Sequence, residues 1–241
     1  THNLIKKVAS LPEPLRMLRI TSDMLSFYTH EDYTDFWHSP YVQNLLEYWM
    51  APIGETARAN DVRLSFHPDQ FVVLASDRPE VVNKSIEEFE YHVDMARWMG
   101  YGREFQDFKI NVHIAGRLGP DGIRAVYPRL SKEAQRTITI ENEENKYGID
   151  DCLSIGRHIA IVLDVHHHWV REGEYIQADD PRVQRVVGSW RGVRPTCHYS
   201  VSREDVLVGH CTNTMPNYKT LLESGHKKAK LRAHSDFYWN K

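Results

Sequence analysis

The chain is poor in cysteine and contains no long apolar run. Its 3 cysteines, Cys152, Cys197 and Cys211, form no CxxC pair, which excludes a disulfide framework and the spacing of a zinc ribbon. No apolar run approaches the length of a membrane span, and the first residues lack the apolar core of a signal peptide. We therefore expect a soluble intracellular protein in the cytoplasm, without membrane association.

Excess positive charge is also absent. The formal net charge is −3, whereas binding to duplex DNA draws on Lys and Arg to neutralise phosphates. The total charge argues mildly against a nucleic-acid ligand, but a bound metal ion can reverse the local charge. The 14 histidines are many for a chain of this length, and several stand at the ends of strand-like segments.

Short β-branched segments alternate with longer amphipathic ones, which is typical of repeated strand–helix units and a parallel sheet. Helices are predicted over residues 41–60 and from Pro79 to about Gly100. Strands are predicted over residues 16–21, 62–67, 108–113, 137–141, 159–164 and 195–199.

This pattern predicts an α/β fold, a TIM (β/α)8-type barrel forming a single domain over residues 1–241. A complete barrel of this type has eight strands and about 250 residues. We therefore expect that one or two terminal strands are missing and that the chain is a fragment trimmed at both ends.

Polar side chains follow five of the predicted strands. The active site of a TIM barrel forms at the carboxyl ends of its strands, so such residues are the first candidates for function. A single strand-end histidine is more often a hydrogen-bonded structural residue, but the repetition favours a shared site. The strand-end residues are His67, His113, Glu141, Asp164 with His167, and His198.

These residue types predict a metal site. Imidazole nitrogen and carboxylate oxygen together suit Mn, Zn or Fe(II), whereas Mg and Ca prefer oxygen ligands almost alone. More than four ligands indicates several ions, and a multinuclear site suits phosphodiester hydrolysis. Glu143 and Glu144 are predicted to lie in a solvated acidic turn. The run from His166 to His168 is by itself compatible with a solvated turn. Asp164, three residues before His167, favours Asp164 and His167 as ligands rather than all three histidines.

The segment LSFHPDQF at residues 64–71 resembles the LSxHPxQ(Y/F) segment of the UV damage endonuclease family. RITSD at residues 19–23 resembles the RxSSD segment of that family. The same family is matched in the same order by NVH (111–113), IENE (140–143), LDVHH (163–167), HYS (198–200) and RAHSDF (232–237). The resemblance covers almost the whole chain.

The resemblance implies a metal-dependent DNA repair nuclease, related in mechanism to endonuclease IV. Such an enzyme nicks double-stranded DNA immediately 5′ of UV photoproducts and some other lesions, without an obligate protein partner. Gln70 and Phe71 match the pair that probes the damaged duplex, where an amide and an aromatic ring can fill the space left by extruded bases. Alternatively, Gln70 belongs to a polar turn and the Phe71 ring is buried.

The resemblance also implies the ligands of two to three divalent ions, with Mn expected and Zn or Fe(II) compatible. The implied catalytic residues are His67, His113 and Glu141, which would hold the first ion. A second ion would lie between Glu141, Asp164 and His198, and a third would be held by His167 and His234, with Asp236 as an extra ligand.

The chain departs from the family at two places in the site. Thr196 stands where the family often has a lysine reported as carboxylated, so that modification is not expected. The glutamate of the family's final strand, in an EAK-like segment, has no counterpart before Lys241.

Three other functions remain open at this point. An abasic-site endonuclease and a metal-dependent sugar isomerase or epimerase share the barrel architecture and similar ligands. A damage-binding or metal-storing module would bind without cutting. Comparison of photoproduct, abasic and sugar substrates separates these alternatives.

Overall fold

The computed structural model describes residues 1–21, 23–202 and 217–235. It contains two compact units, of which the first comprises Thr1–Val112 and Gly116–Thr139 and the second comprises His113–Ala115 and Ile140–Lys241. The boundary between the units passes through two β-strands. The predicted single domain stays a prediction.

All six predicted strands are present, although the last is only two residues long. They are β1 (Met17–Arg19), β2 (Arg63–Phe66), β3 (Lys109–His113), β4 (Ile138–Glu141), β5 (Ala160–Asp164) and β6 (Cys197–His198). The helices before β4 are α1 (His2–Ala9), α2 (Thr34–Trp37), α3 (Pro40–Ala59), α4 (Pro79–Trp98), α5 (Gly119–Val126) and α6 (Lys132–Thr137). Those after β4 are α7 (Ile149–Ser154), α8 (Val165–Glu172), α9 (Pro181–Ser189), α10 (Tyr218–Glu223) and α11 (Lys228–Arg232). Within the described ranges, no helix combines the length and the apolar character needed to cross a membrane.

In the first unit, hydrogen-bonded neighbours follow the order of the sequence. β1 pairs with β2 in parallel, with Leu18 opposite Leu64, and β2 pairs with β3 in parallel, with Phe66 opposite Ile110. The Phe66 ring is buried and lies 5.0 Å from the ring of Phe108. The alternating sequence pattern of β2 therefore reflects a strand with one face buried in the core.

The second unit is organised around β5, whose five residues are all buried. A nearly continuous apolar strand of this kind is expected where both faces of a parallel sheet are covered. β5 pairs in parallel with β6, with Asp164 opposite His198. The indole nitrogen of Trp190, which follows α9, donates to the Ile161 carbonyl at 2.8 Å. The pairing of β5 with β6 places the carboxyl ends of the two strands side by side.

Gly116, which follows β3, is required by the backbone of the first unit. Its φ of +114° lies in the left-handed region, and a Cβ there would come within 2.3 Å of the backbone carbonyl of Ala75. We expect Gly116→Ala to lower the free energy of unfolding by about 2 kcal/mol, since φ strain alone is worth roughly 1–3 kcal/mol. Urea unfolding of both proteins measures this difference. Equal stability would show that the loop relaxes without cost.

Candidate metal centre

Glu141, the last residue of β4, occupies the centre of a cluster of imidazoles in the second unit. The side chain is 1% exposed, and the backbone carbonyl accepts a hydrogen bond from Ile114 at 2.8 Å. Oε1 lies 2.8 Å from Nδ1 of His198 and 3.7 Å from Nδ1 of His167. Oε2 lies 3.5 Å from Nε2 of His113. One buried carboxylate therefore contacts imidazoles that follow three different strands.

Asp164 ends β5 and caps the helix that follows it. Its Oδ1 accepts a hydrogen bond from the backbone N–H of His167 at 2.8 Å, as an N-cap aspartate does. Its Oδ2 faces Nδ1 of His167 at 3.8 Å and Nδ1 of His198 at 3.9 Å. Burial raises the pKa of Asp164, with His167 opposing and Glu141 reinforcing the shift. A divalent cation would offset the repulsion between these two carboxylates.

The tautomer of a neutral His167 ring follows from its hydrogen bond. Nδ1 lies 2.9 Å from the backbone carbonyl of Asn142. A carbonyl can only accept, so Nδ1 carries the hydrogen and Nε2 of the neutral ring has the lone pair that binds metals. The ring of His234 lies 5.3 Å from that of His167, and Nδ1 of His234 is 2.6 Å from Oγ of Ser200.

The predicted solvated position is wrong for Glu144, and so is the alternative that residues 166–168 form a solvated turn. Glu144 forms a salt bridge with Arg232 and places Oε2 3.7 Å from Nε2 of His167. Residues His166 to His168 are all buried in α8, and burial lowers the pKa of His166 to about 3, so this imidazole is neutral. Because α8 begins directly after β5, its first turn is packed into the unit rather than extended into solvent. Both segments directly follow buried strands, and this position in the sequence could have indicated that they are buried.

The donor set fits a divalent transition metal. One ligand atom each from His113, Glu141 and His167 lie within 4.8 Å of one another. Nitrogen and oxygen atoms bound about 2.1 Å from one ion stand about 3–4 Å apart, and Nε2 of His113 lies 3.5 Å from Oε2 of Glu141. Mixed imidazole and carboxylate ligands favour Mn, Zn or Fe(II) over Mg or Ca.

The other predicted site residues lie in the first unit. His67 directly follows β2, and its Nδ1 is 3.0 Å from the carbonyl of Pro68. Gln70 is exposed in the next turn, and the Phe71 side chain is 79% exposed. The alternative of a buried ring at position 71 is therefore wrong. Asp236 lies outside the described residues.

Asn142 makes contacts that no sequence pattern indicated. This residue is fully buried directly after Glu141 and exchanges two hydrogen bonds with the backbone of Asp164. At position 196, where the chain departs from the family pattern, the Thr196 hydroxyl is buried and makes no hydrogen bond within the described residues.

Comparisons with known proteins place the chain in a family. Residues 2–236 match the family described as UV-endonuclease UvdE. The UV-damage endonuclease of Neurospora crassa is 29% identical over 204 residues, which are 77% of this chain and 30% of that protein. The UV DNA damage endonuclease of Bacillus velezensis is 27% identical over 201 residues, 80% of this chain and 60% of that protein. The chain thus spans less than two thirds of the length of both relatives.

The fold is shared with a solved structure. The crystal structure of SacUVDE matches with a TM-score of 0.68 at 25% identity, covering 88% of this chain and 74% of that one. The predicted α/β fold of the TIM-barrel type is confirmed. The described residues provide six of its parallel strands.

Proposed function

The chain belongs to the UV-endonuclease UvdE family, and we propose from this premise that it is a metal-dependent endonuclease that initiates repair of UV-damaged DNA. In this proposal it hydrolyses the phosphodiester bond immediately 5′ of pyrimidine photoproducts and some other lesions. The observation that best supports the proposal is the buried Glu141 carboxylate with its three imidazole neighbours. Such a donor set suits the ions that assist phosphodiester hydrolysis.

We assign two to three divalent ions to the seven predicted ligands, and we expect these ions to be Mn²⁺. These are His67, His113, Glu141, Asp164, His167, His198 and His234. When bound, such ions activate water and neutralise charge on the phosphodiester oxygens. The contribution of His67 rests on the resemblance, whereas the other six residues lie in the second unit.

The residues of the second unit would have separate tasks. Glu141 contacts the imidazoles of His113 and His198 through its two oxygens and would hold divalent ions together with them. Oδ1 of Asp164 accepts the N-cap hydrogen bond, and Oδ2 faces the His198 imidazole. His167 would bind through Nε2, because Nδ1 is engaged with a backbone carbonyl. Hydrogen bonds within the chain would thus orient these ligands.

Exposed Phe71 is proposed to contact the lesion. A ring that is 79% exposed has its face available for stacking on a base, and stacking is worth roughly 1–3 kcal/mol per base. We expect Phe71→Ala to lower kcat/KM on a photoproduct duplex about tenfold, without changing Mn²⁺ binding. Phe36, which is 56% exposed, provides the matched control. Equal losses in Phe36→Ala and Phe71→Ala, or none in either, would remove Phe71 from the proposal.

The substrate is tested with duplex oligonucleotides that carry one pyrimidine photoproduct, one abasic site or no lesion. We expect Mn²⁺-dependent cleavage directly 5′ of the photoproduct and little cleavage of the undamaged duplex. Cleavage of the abasic duplex alone would show an abasic-site endonuclease instead. Binding of the damaged duplex without cleavage would indicate the damage-binding module.

A further inference from the structure

Asn142 connects the carboxyl ends of β4 and β5 through its side chain. The backbone N–H of Asp164 donates to Oδ1 of Asn142 at 2.8 Å, and Nδ2 of Asn142 donates to the Asp164 carbonyl at 3.0 Å. The side-chain amide thus exchanges the two hydrogen bonds that a peptide group of a neighbouring strand would exchange. Both residues are buried, so neither bond competes with bulk water.

This contact fixes Asp164 at the point where its carboxylate leaves the strand. With the backbone held on both sides, and with Oδ1 held by the N–H of His167 at 2.8 Å, little freedom remains for Oδ2. That oxygen is the one that faces Nδ1 of His198 at 3.9 Å. The direction of Oδ2 therefore depends on the side chain of Asn142.

The backbone of Asn142 acts on a second site residue. Its carbonyl accepts the Nδ1 hydrogen of His167 at 2.9 Å, so that Nε2 is the nitrogen with the lone pair in the neutral ring. An outer contact of this kind selects the tautomer and the orientation of a metal-binding imidazole. One residue therefore orients a carboxylate and an imidazole that follow another strand.

We propose that Asn142 is a positioning residue, which aligns Asp164 and His167 for divalent metal binding without touching the metal itself. The inference rests on the proposed function insofar as that function requires the metal. Removing the side chain releases Asp164 while the backbone contact to His167 can persist. We therefore expect weaker metal binding rather than complete loss.

The test measures Mn²⁺ binding by equilibrium dialysis and hydrogen exchange at the Asp164 amide, in the whole chain. Asn142→Leu keeps most of the side-chain volume and removes both hydrogen bonds, and Asn142→Ala is the second variant. We expect faster exchange at Asp164 and about 10- to 100-fold weaker binding of at least one Mn²⁺ ion. The control is Trp190→Phe, which removes one buried hydrogen bond to a backbone carbonyl elsewhere in the unit. It is expected to keep the wild-type Mn²⁺ affinity.

Wild-type Mn²⁺ affinity in folded Asn142→Leu would overturn the inference, as would an equal loss in Trp190→Phe. The outcomes also separate this inference from the proposed function. If the wild type binds Mn²⁺ but nicks no damaged DNA, and Asn142→Leu weakens binding, the positioning role holds while the proposed function fails. If the wild type binds no Mn²⁺, both fail.

Discussion

Glu141→Gln is expected to reduce the nicking of UV-irradiated DNA by about 10³-fold, a loss of roughly 4 kcal/mol in transition-state stabilisation. The substitution keeps the shape of the side chain and removes its charge. The carboxylate is the contact shared by His113, His167 and His198, and a neutral amide would hold divalent ions weakly. Single-turnover nicking at saturating Mn²⁺ measures the loss.

The same variant is expected to fold normally. Without metal, the buried carboxylate of Glu141 carries the cost of desolvation, which the amide reduces. Its thermal midpoint should therefore equal or exceed that of the wild type without metal. Glu143→Gln is the matched control, because the Glu143 carboxylate accepts hydrogen bonds from the backbone of the following turn. Near-normal nicking by Glu141→Gln, or an equal loss in Glu143→Gln, would contradict the assignment.

Asp164→Asn and Asp164→Ala separate the two tasks of Asp164. Asparagine caps a helix as well as aspartate does, whereas alanine at this position costs about 0.5–2 kcal/mol. Both substitutions remove the carboxylate oxygen that faces His167 and His198. We expect both variants to nick at least about 100-fold more slowly, but only Asp164→Ala to be less stable by about 1 kcal/mol.

Urea unfolding and Mn²⁺-dependent nicking of the two variants provide the test. If Asp164→Asn retains wild-type nicking, the residue is a helix cap and no more. If Asp164→Asn is as unstable as Asp164→Ala, the N-cap contact does not explain the stability difference. The predicted pattern is one variant impaired in activity alone and the other impaired in both properties.

Local sequence patterns predicted the elements of this fold well. The apolar run before Asp164 and the alternation before His67 each appear as a strand at the expected place, because hydrophobic periodicity reports directly on which faces are buried. The proline at position 79 begins α4 as expected, since its fixed φ suits the first turn of a helix. Hydrophobic periodicity and the position of a proline depend only on residues that are close together in the sequence.

What the sequence could not show depends on contacts between distant residues. Glu144 reads as part of an acidic turn, but Arg232, far along the chain, forms a salt bridge with it. Asn142 reads as an ordinary turn residue until β5 is placed beside it. Five ligands of the second unit were predicted from strand ends and His234 from the family resemblance, whereas the contacts that orient them needed the three-dimensional arrangement.

The most direct test of the central claim is the nicking of supercoiled plasmid by this chain, with the plasmid either undamaged or UV-irradiated. Each plasmid is incubated with Mn²⁺ or with a chelator. A metal-dependent UV damage endonuclease should convert irradiated plasmid to the nicked form in Mn²⁺, leave undamaged plasmid largely supercoiled and lose activity in the chelator. Nicking that persists in the chelator, or no preference for irradiated plasmid, would contradict the account.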